Sequence, residues 1–338
     1  MRMWVYAGIL ALLVVLALIG YRVMIDVKPA VTRPGMTAAD RAEIAALEPR
    51  LMAHVKVLGG TIGKRHLARP EALRAAADYI RATWVSQGFT VATEPFQVNG
   101  RPCENLVVEI RGTETPQEIV LVGAHYDTAP GTPGANDNGS GVALLLEISR
   151  LLQESRPPRS LRLVAFTNEE PPHFFTSDMG SRVHAKAARM RGENIVAMLS
   201  LETIGYYSDA PGSQSYPFPF GLLYPSAGNF LAVAGNLPSR PLVIDFLRAF
   251  MEATDFPVEG IATFEMIPGI NWSDHWAFWK EDYPALMLTD TAPFRYPRYH
   301  TPEDTPDKLT GPPFARASHG IIRAVQRLAS ARTSHIAR

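Results

Sequence analysis

The sequence is nearly without cysteine: Cys103 is the only one in 338 residues. A single thiol closes no intrachain disulfide and builds no Cys-rich zinc module. Cys103 stands in Gly-Arg-Pro-Cys-Glu-Asn, without a nucleophile motif, so a buried or incidental cysteine is expected rather than a catalytic one. A surplus of charge is missing too, since 33 Lys and Arg face 33 Asp and Glu. Polyanion binding needs a basic surplus or a basic face, so nucleic acid is not expected as a partner. There is no internal repeat and no low-complexity tract. With 46 % hydrophobic and 20 % charged residues, the composition is that of a folded globular protein.

Charge is also missing from Met3 to Tyr21, and Ile9 to Ile19 is almost wholly Leu, Val, Ile and Ala. About 19 helical residues at about 1.5 Å each span about 29 Å, close to the hydrocarbon thickness of a bilayer. A cleaved signal peptide is the competing reading. Leu18-Ile19-Gly20-Tyr21 is too bulky for a small-x-small cleavage site and no lipobox cysteine follows, so an uncleaved N-terminal transmembrane helix is expected. This divides the chain into an anchor and start of linker over 1–28 and one domain over 29–338. The membrane becomes an expected partner, with the long remainder exported to the periplasmic or extracellular side.

Pro29 and Pro34 mark a short linker. Helices are expected over Thr37–Leu58, kinked or split at Pro49, and over Glu71–Gln87 before Gly88. Phe89–Thr93 and Asn105–Ile110 alternate like half-buried strands. From Glu118 onward, short apolar runs (Ile119–Gly123, Leu161–Phe166, Ile195–Leu201, Pro284–Leu288) alternate with helical patterns at Gly141–Leu152 and Ala315–Ala329. That order predicts an α/β fold, a three-layer α/β/α sandwich around a mixed, mainly parallel sheet. Tyr206–Pro268 is punctuated by Pro, Gly and Ser and reads as a substrate-facing excursion.

Polar residues stand where these strands end. His125 and Asp127 follow the Ile119 run in Gly-Ala-His-Tyr-Asp-Thr, a spacing that suits a metal ligand and a carboxylate orienting its imidazole. Asp137 lies in Gly-Ala-Asn-Asp-Asn-Gly-Ser-Gly, which serves equally as an Asx-turn and helix cap. Glu169 and Glu170 end the Leu161 strand as adjacent carboxylates, costly side by side unless a cation compensates them. Glu202 ends the Ile195 strand in Leu-Glu-Thr-Ile-Gly-Tyr, and Tyr299 and His300 open Tyr-His-Thr-Pro-Glu-Asp-Thr. Oxygen and imidazole donors in this mixture suit zinc or a similar divalent ion, and five with a shared carboxylate suit two.

With Ser273-Asp274-His275, these motifs stand in the order found in the co-catalytic zinc aminopeptidases, and over about residues 70 to 330 the chain resembles that family. It includes bacterial leucyl aminopeptidases, glutamate carboxypeptidase II and glutaminyl cyclases. The resemblance implies that His125, Asp137 and Glu202 hold one zinc and that Asp137, Glu170 and His300 hold a second, with Asp137 bridging. It implies Glu169 as general base, Asp127 as the partner of His125, Tyr299 as an oxyanion donor, and a cis peptide at Asp137-Asn138. The implied activity is hydrolysis of N-terminal residues from peptides by a water held between two zinc ions. Carboxypeptidase or dipeptidase action, a single-zinc glutaminyl-cyclase-like acyl transfer and a non-catalytic binding module are the alternatives. Glu202 departs from the family, where Asp is usual, and the loop after Glu170 is longer. Its His173, Phe174 and Phe175 either line the substrate pocket or fold onto the domain. His54, His66, His184, His319 and His335 read as mostly solvated, and His275 as shaping the site without binding metal.

Overall fold

The computed structural model describes residues 18–33 and 35–331, together with Tyr6, Ile9, Leu12, Leu13 and Val15. Most of the apolar run expected to form the anchor, and His335, lie outside the described residues. Among the described residues no helix is long and apolar enough to cross a membrane.

The chain builds an eight-stranded sheet between helices. Helix α1 (Ala38–Val55) starts at a capping box in which the Thr37 hydroxyl accepts from the Asp40 N–H while the Asp40 carboxylate accepts from the Thr37 N–H. It continues across Pro49 without the split that was one of the two expectations there, and ends in a π-helical turn, Lys56–Ile62. Helix α2 (Pro70–Ser86) buries Leu73, Ala77, Ile80 and Trp84, one face at helical spacing. Strands β1 (Ala92–Val98) and β2 (Arg101–Ile110) form an antiparallel hairpin at one side of the sheet. Then follow β3 (Thr115–His125), α3 (Gly139–Leu152), β4 (Arg159–Phe166), α4 (Gly180–Met190) and β5 (Asn194–Glu202).

The poorly patterned stretch after Tyr206 is not only an excursion. It contains β6 (Leu231–Asn236), α5 (Arg240–Ala253) and β7 (Val258–Thr263); the two strands are short and each carries a glycine, Gly235 or Gly260, which masks the strand period. The chain closes with α6 (His275–Trp279), β8 (Ala285–Thr289), α7 (Ala292–Arg295) and α8 (Gly311–Ser330).

The sheet order is β1-β2-β4-β3-β5-β8-β6-β7. Strands β4, β3, β5 and β8 are mutually parallel, whereas β6 runs against β8 and β7 runs with β6. Alternate side chains of β3 enter two cores. Val120, Val122 and Ala124 pack with the helices of α1, α2, α3, α5 and α8, while Ile119 and Leu121 pack with those of α4 and α6. Burial on both faces explains the nearly continuous apolar run of β3.

The segment before α1 is fastened to β7. A π-helical turn, Tyr21–Ile25, packs on it; Arg240 donates to the carbonyls of Val23 (2.8 Å) and Asp26 (3.1 Å), and Lys28 pairs with Glu259 at 2.6 Å. Val27 is buried.

One buried charge locks α1 and α2 to α3. The Glu147 carboxylate is enclosed, accepts from Arg50 and Arg150, and lies 3.3 Å from His54 Nε2, whose Nδ1 is 2.7 Å from the Tyr79 hydroxyl. His54 is therefore a packed structural residue rather than a solvated one. Burial alone would raise the Glu147 pKa, but the bonds from His54 and Arg150 outweigh it and bring it from 4.5 down to about 2. A depressed carboxyl stabilises the fold above its unfolded pKa and loses that contribution as pH falls through the folded one. Glu147→Gln is expected to cost about 1–3 kcal/mol at neutral pH. The variant's urea midpoint should also fall less steeply between pH 5 and 2; an acid limb equal to that of the wild type would contradict this account.

Candidate metal centre

Because β4, β3, β5 and β8 run parallel, their carboxyl ends share one edge, and the polar motifs meet there. His125 is the last residue of β3 and Glu202 the last of β5. Glu169 and Glu170 follow β4 by way of Asn168, whose backbone is left-handed (φ 59°), a conformation Asn tolerates better than most residues. Its side-chain amide donates to the buried Cys103 sulfur at 3.2 Å, giving that thiol a structural place. Asp137 sits on the turn between β3 and α3, and His300 follows α7.

The Asp137 turn is held from three directions. The Asp304 carboxylate accepts from the Asn136 N–H (2.8 Å) and the Asp137 N–H (3.1 Å). Arg65, fully buried, donates to the carbonyls of Tyr126, Pro133 and Gly134 at 2.6, 2.8 and 2.9 Å. Asn138 caps α3 by accepting from the Gly141 N–H and donates to the Leu201 carbonyl at 2.7 Å. A Cβ at Gly141 would lie 2.6 Å from that same carbonyl, so only glycine lets α3 start this close to β5. The Asp137-Asn138 peptide is cis, as the resemblance implied.

The expected ligands converge. His125 Nε2 lies 3.4 Å from Asp137 Oδ1 and 3.3 Å from Glu202 Oε2, and His300 Nε2 lies 2.9 Å from Asp137 Oδ2 and 3.2 Å from Glu170 Oε2. Ligand atoms of Asp137, Glu170 and His300 lie within 4.8 Å of one another, and so do those of His125, Glu169 and Glu202. Glu169 Oε2 stands 3.8 Å from His125 Nε2, on the side of the cluster facing Glu202.

Asp127 stands beside His125 as expected, and it also has a second task. Its carboxylate is 3.6 Å from His125 Nδ1, longer than a hydrogen bond. Its two oxygens accept from the backbone N–H groups of Glu169 (3.1 Å) and Glu170 (3.2 Å), fixing the turn that presents both glutamates. The longer side chain of Glu202 is steadied by the Ser273 hydroxyl, which donates to it at 2.7 Å and meets Ser200 at 2.8 Å.

Electrostatics shows what the donors lack. Burial, together with the charges of Glu202, Glu170 and Asp274, pushes Glu169 well above the ordinary carboxyl range although His125 opposes it. Burial and the Asp137 charge raise Glu170 to about 7. Burial would lower both imidazoles, yet the carboxylates around them win: His125 rises well above its usual value and His300 to about 10. Both nitrogens of His125, both oxygens of Asp137 and Glu170 Oε1 are buried without a hydrogen-bond partner. Buried polar atoms left unpaired cost about 1–3 kcal/mol each, and more when charged. Orphaned imidazole and carboxylate atoms converging on one place are the donor set of a divalent cation, and zinc fits it.

Tyr299 stacks on His300 with ring centroids 3.9 Å apart and, with Glu202, lines an open cavity walled by Phe230, Ile267, Trp272 and Phe294. His173 lines a second depression with Asp127 and Glu170. Phe174 and Phe175 pack on each other and Phe175 on Trp276, so these aromatics fold onto the domain. His184 and His319 are buried rather than solvated, and His66 is half-buried. His275 is buried with Nε2 2.7 Å from the Ile270 carbonyl, apart from the ligand cluster.

Fold and centre together define a zinc metallopeptidase, and the comparisons say which. The model of peptidase family M28 matches residues 105–325, and the chain belongs to that family. The uncharacterized protein YfbL of Escherichia coli (strain K12) is 38 % identical over 299 residues, covering 86 % of this chain and 91 % of that protein. A probable zinc metalloprotease of Leptosphaeria maculans is 26 % identical over 214 residues, or 58 % of this chain; the match spans 48 % of that relative's length. Among solved structures, the zinc aminopeptidase BSAP from Bacillus subtilis superposes with a TM-score of 0.66 at 14 % identity, covering 84 % of this chain and 97 % of that one. A glutaminyl cyclase of Fimbriiglobus ruber superposes with a TM-score of 0.63 at 20 % identity, covering 88 % and 99 %. The two structural likenesses concern the fold.

Sequence reasoning passed over Arg65 and Asp304. Arg65 sits in no recognisable motif, but Asp304 lies four residues after His300 in the segment read for Tyr299 and His300. Residues that hold a ligand's backbone commonly govern metal affinity about 10- to 100-fold. Asp304→Ala should therefore weaken zinc binding by about that factor, read by competition with a chromogenic chelator. Unchanged affinity would show that the Asp137 turn does not depend on it.

Proposed function

We propose that the chain is an aminopeptidase that removes N-terminal residues from peptides with two zinc ions, one held by His125, Asp137 and Glu202 and the other by Asp137, Glu170 and His300. The observation that carries this reading is Asp137. Its two buried oxygens face two different imidazoles at 3.4 and 2.9 Å and have no hydrogen-bond donor. A carboxylate so placed bridges two positive charges.

When bound, such ions lower the pKa of a water to about 7 and polarise a carbonyl oxygen. Glu169 then acts as the proton carrier: its carboxylate takes a proton from the attacking water as the C–O bond forms. It returns that proton to the leaving nitrogen as the C–N bond breaks. Enclosure favours the protonated acid and suits the second half of this cycle. Tyr299, held against His300 beside the apolar cavity, offers its hydroxyl to the developing oxyanion. Asp127 keeps Glu169 and Glu170 in register without touching the substrate. For location, the uncharged run from Met3 to Tyr21 supports a membrane anchor with the catalytic domain on the exported side.

Glu169→Ala should keep its zinc and lose turnover by about 10²–10⁴-fold, whereas His300→Ala should lose metal. Metal content by atomic emission beside steady-state rates separates the two, and a Glu169→Ala enzyme with near-native turnover would sink the assigned role. Paired peptides, identical except for a free or acetylated amino terminus, test the specificity. Chelator-sensitive release of the first residue from the free peptide alone is expected. Cleavage of the blocked peptide at its other end would make the enzyme a carboxypeptidase. Cyclisation of an N-terminal glutamine with one zinc per chain would make it an acyltransferase.

A further inference from the structure

Outside the amino-terminal run, the large apolar side chains that stand exposed among the described residues are unevenly spread. Val85, Leu151 and Met190 stand singly and Phe175 packs on Phe174 and Trp276, but Phe218, Leu222, Leu223, Phe264, Met266 and Trp272 lie on two loops. Phe218 is 89 % exposed, Met266 86 % and Leu222 79 %. The first loop belongs to a stretch, Ala210 to Phe230, with no charged residue; on the second the one charge between Phe264 and Ser273 is Glu265, which is paired with Lys280 at 3.1 Å. A patch of this kind on a folded surface marks a place where something apolar docks.

Both loops adjoin the edge strand β7. The Tyr224 hydroxyl donates to the Gly260 carbonyl at 2.8 Å and its ring stacks on Tyr216, tying the first loop to β7. Phe264 directly follows the strand. Residues 21 to 28 are fastened to this same strand, with Met24 against Thr263 and Lys28 on Glu259. The uncharged run from Met3 to Tyr21 therefore joins the fold beside the exposed patch. Glu259, Gly260 and Ile261 of β7 also wall the cavity that reaches Glu202 and Tyr299, as do Tyr216, Phe220, Tyr224 and Trp272. Tyr and Trp at the margin of an apolar surface are the side chains that settle at headgroup level.

We propose that the β7 edge and the exposed apolar side chains of its two flanking loops form a lipid-facing surface, which seats the substrate cavity at the bilayer interface. The occupant is a membrane because the segment fastened beside the patch continues into a run long enough to enter one. This rests on the anchor reading above, but not on the assigned reaction. Peptides lying in or tethered to the interface would then reach the cavity without leaving the membrane surface.

The test uses the full chain reconstituted in phosphatidylethanolamine–phosphatidylglycerol vesicles, with single nitroxide labels introduced by Leu222→Cys and Met266→Cys. Neither residue lines the cavity. Val85→Cys and Met190→Cys serve as aqueous references and Leu12→Cys reports on the amino-terminal run; Cys103 is buried. Collisions with oxygen should exceed those with a water-soluble nickel chelate at 222 and 266, with the order reversed at 85 and 190. If 222 and 266 match the references while 12 is lipid-exposed, the anchor stands and the lipid-facing surface is overturned. Labels at 222 and 266 shielded from both reagents would overturn it as well, in favour of a protein cover. An aqueous label at 12 with lipid-exposed 222 and 266 would remove the anchor and leave the surface in place.

Discussion

Mutual repulsion among buried carboxylates is the constraint on which this structure turns. Asp137, Glu169, Glu170 and Glu202 are enclosed together at one sheet edge with two imidazoles among them. At separations of a few ångström, like charges removed from water oppose each other by several kcal/mol even at a generous effective dielectric. The two imidazoles offset this only in part, and both oxygens of Asp137 and Glu170 Oε1 stay buried without a hydrogen-bond partner. Divalent metal would answer the same problem. The surroundings can be understood as a frame that keeps those donors together despite their repulsion.

That frame is built mostly from backbone. Arg65 gathers carbonyls from the end of β3 and from the turn before Asp137, while Asp304 takes that turn's N–H groups. A guanidinium and a carboxylate thus hold the two polarities of one short segment. Glu202 illustrates the same economy, since its reach is steadied by a serine from a distant loop. Rigid supports of this kind matter because a displacement of one ångström at a reacting group costs orders of magnitude in rate.

Much of this was legible in the sequence, for identifiable reasons. Strand runs buried on both faces, such as Ile119–Gly123 and Leu161–Phe166, announce themselves by apolarity, and ligands at their ends fall on one edge as soon as the strands are parallel. That His125, Asp137, Glu169, Glu170, Glu202 and His300 meet at one edge was therefore readable from motif order. Strands β6 and β7 were not, because each is only six residues long and carries a glycine, Gly235 or Gly260. Pro49 misled in the other direction: packing of α1 against α3 and α8 keeps the helix continuous where local propensity argues for a break. The solvated histidines were misjudged because periodicity does not reveal a buried partner; His184 meets Glu94 at 2.7 Å and His319 meets Glu43 at 3.3 Å, both from remote segments. Asp127 was recognised as important, but its further partners are N–H groups, and backbone donors leave no trace in a sequence.

Asp127 has a mechanical consequence. One carboxylate grips the peptide nitrogens of two consecutive glutamates, one proposed to ferry protons and the other to grasp metal. The two side chains share a single pivot and cannot be adjusted separately. A shift that improved the reach of the ligand would swing the base off its line, so the spacing between proton carrier and metal is set once, by the hold of one aspartate.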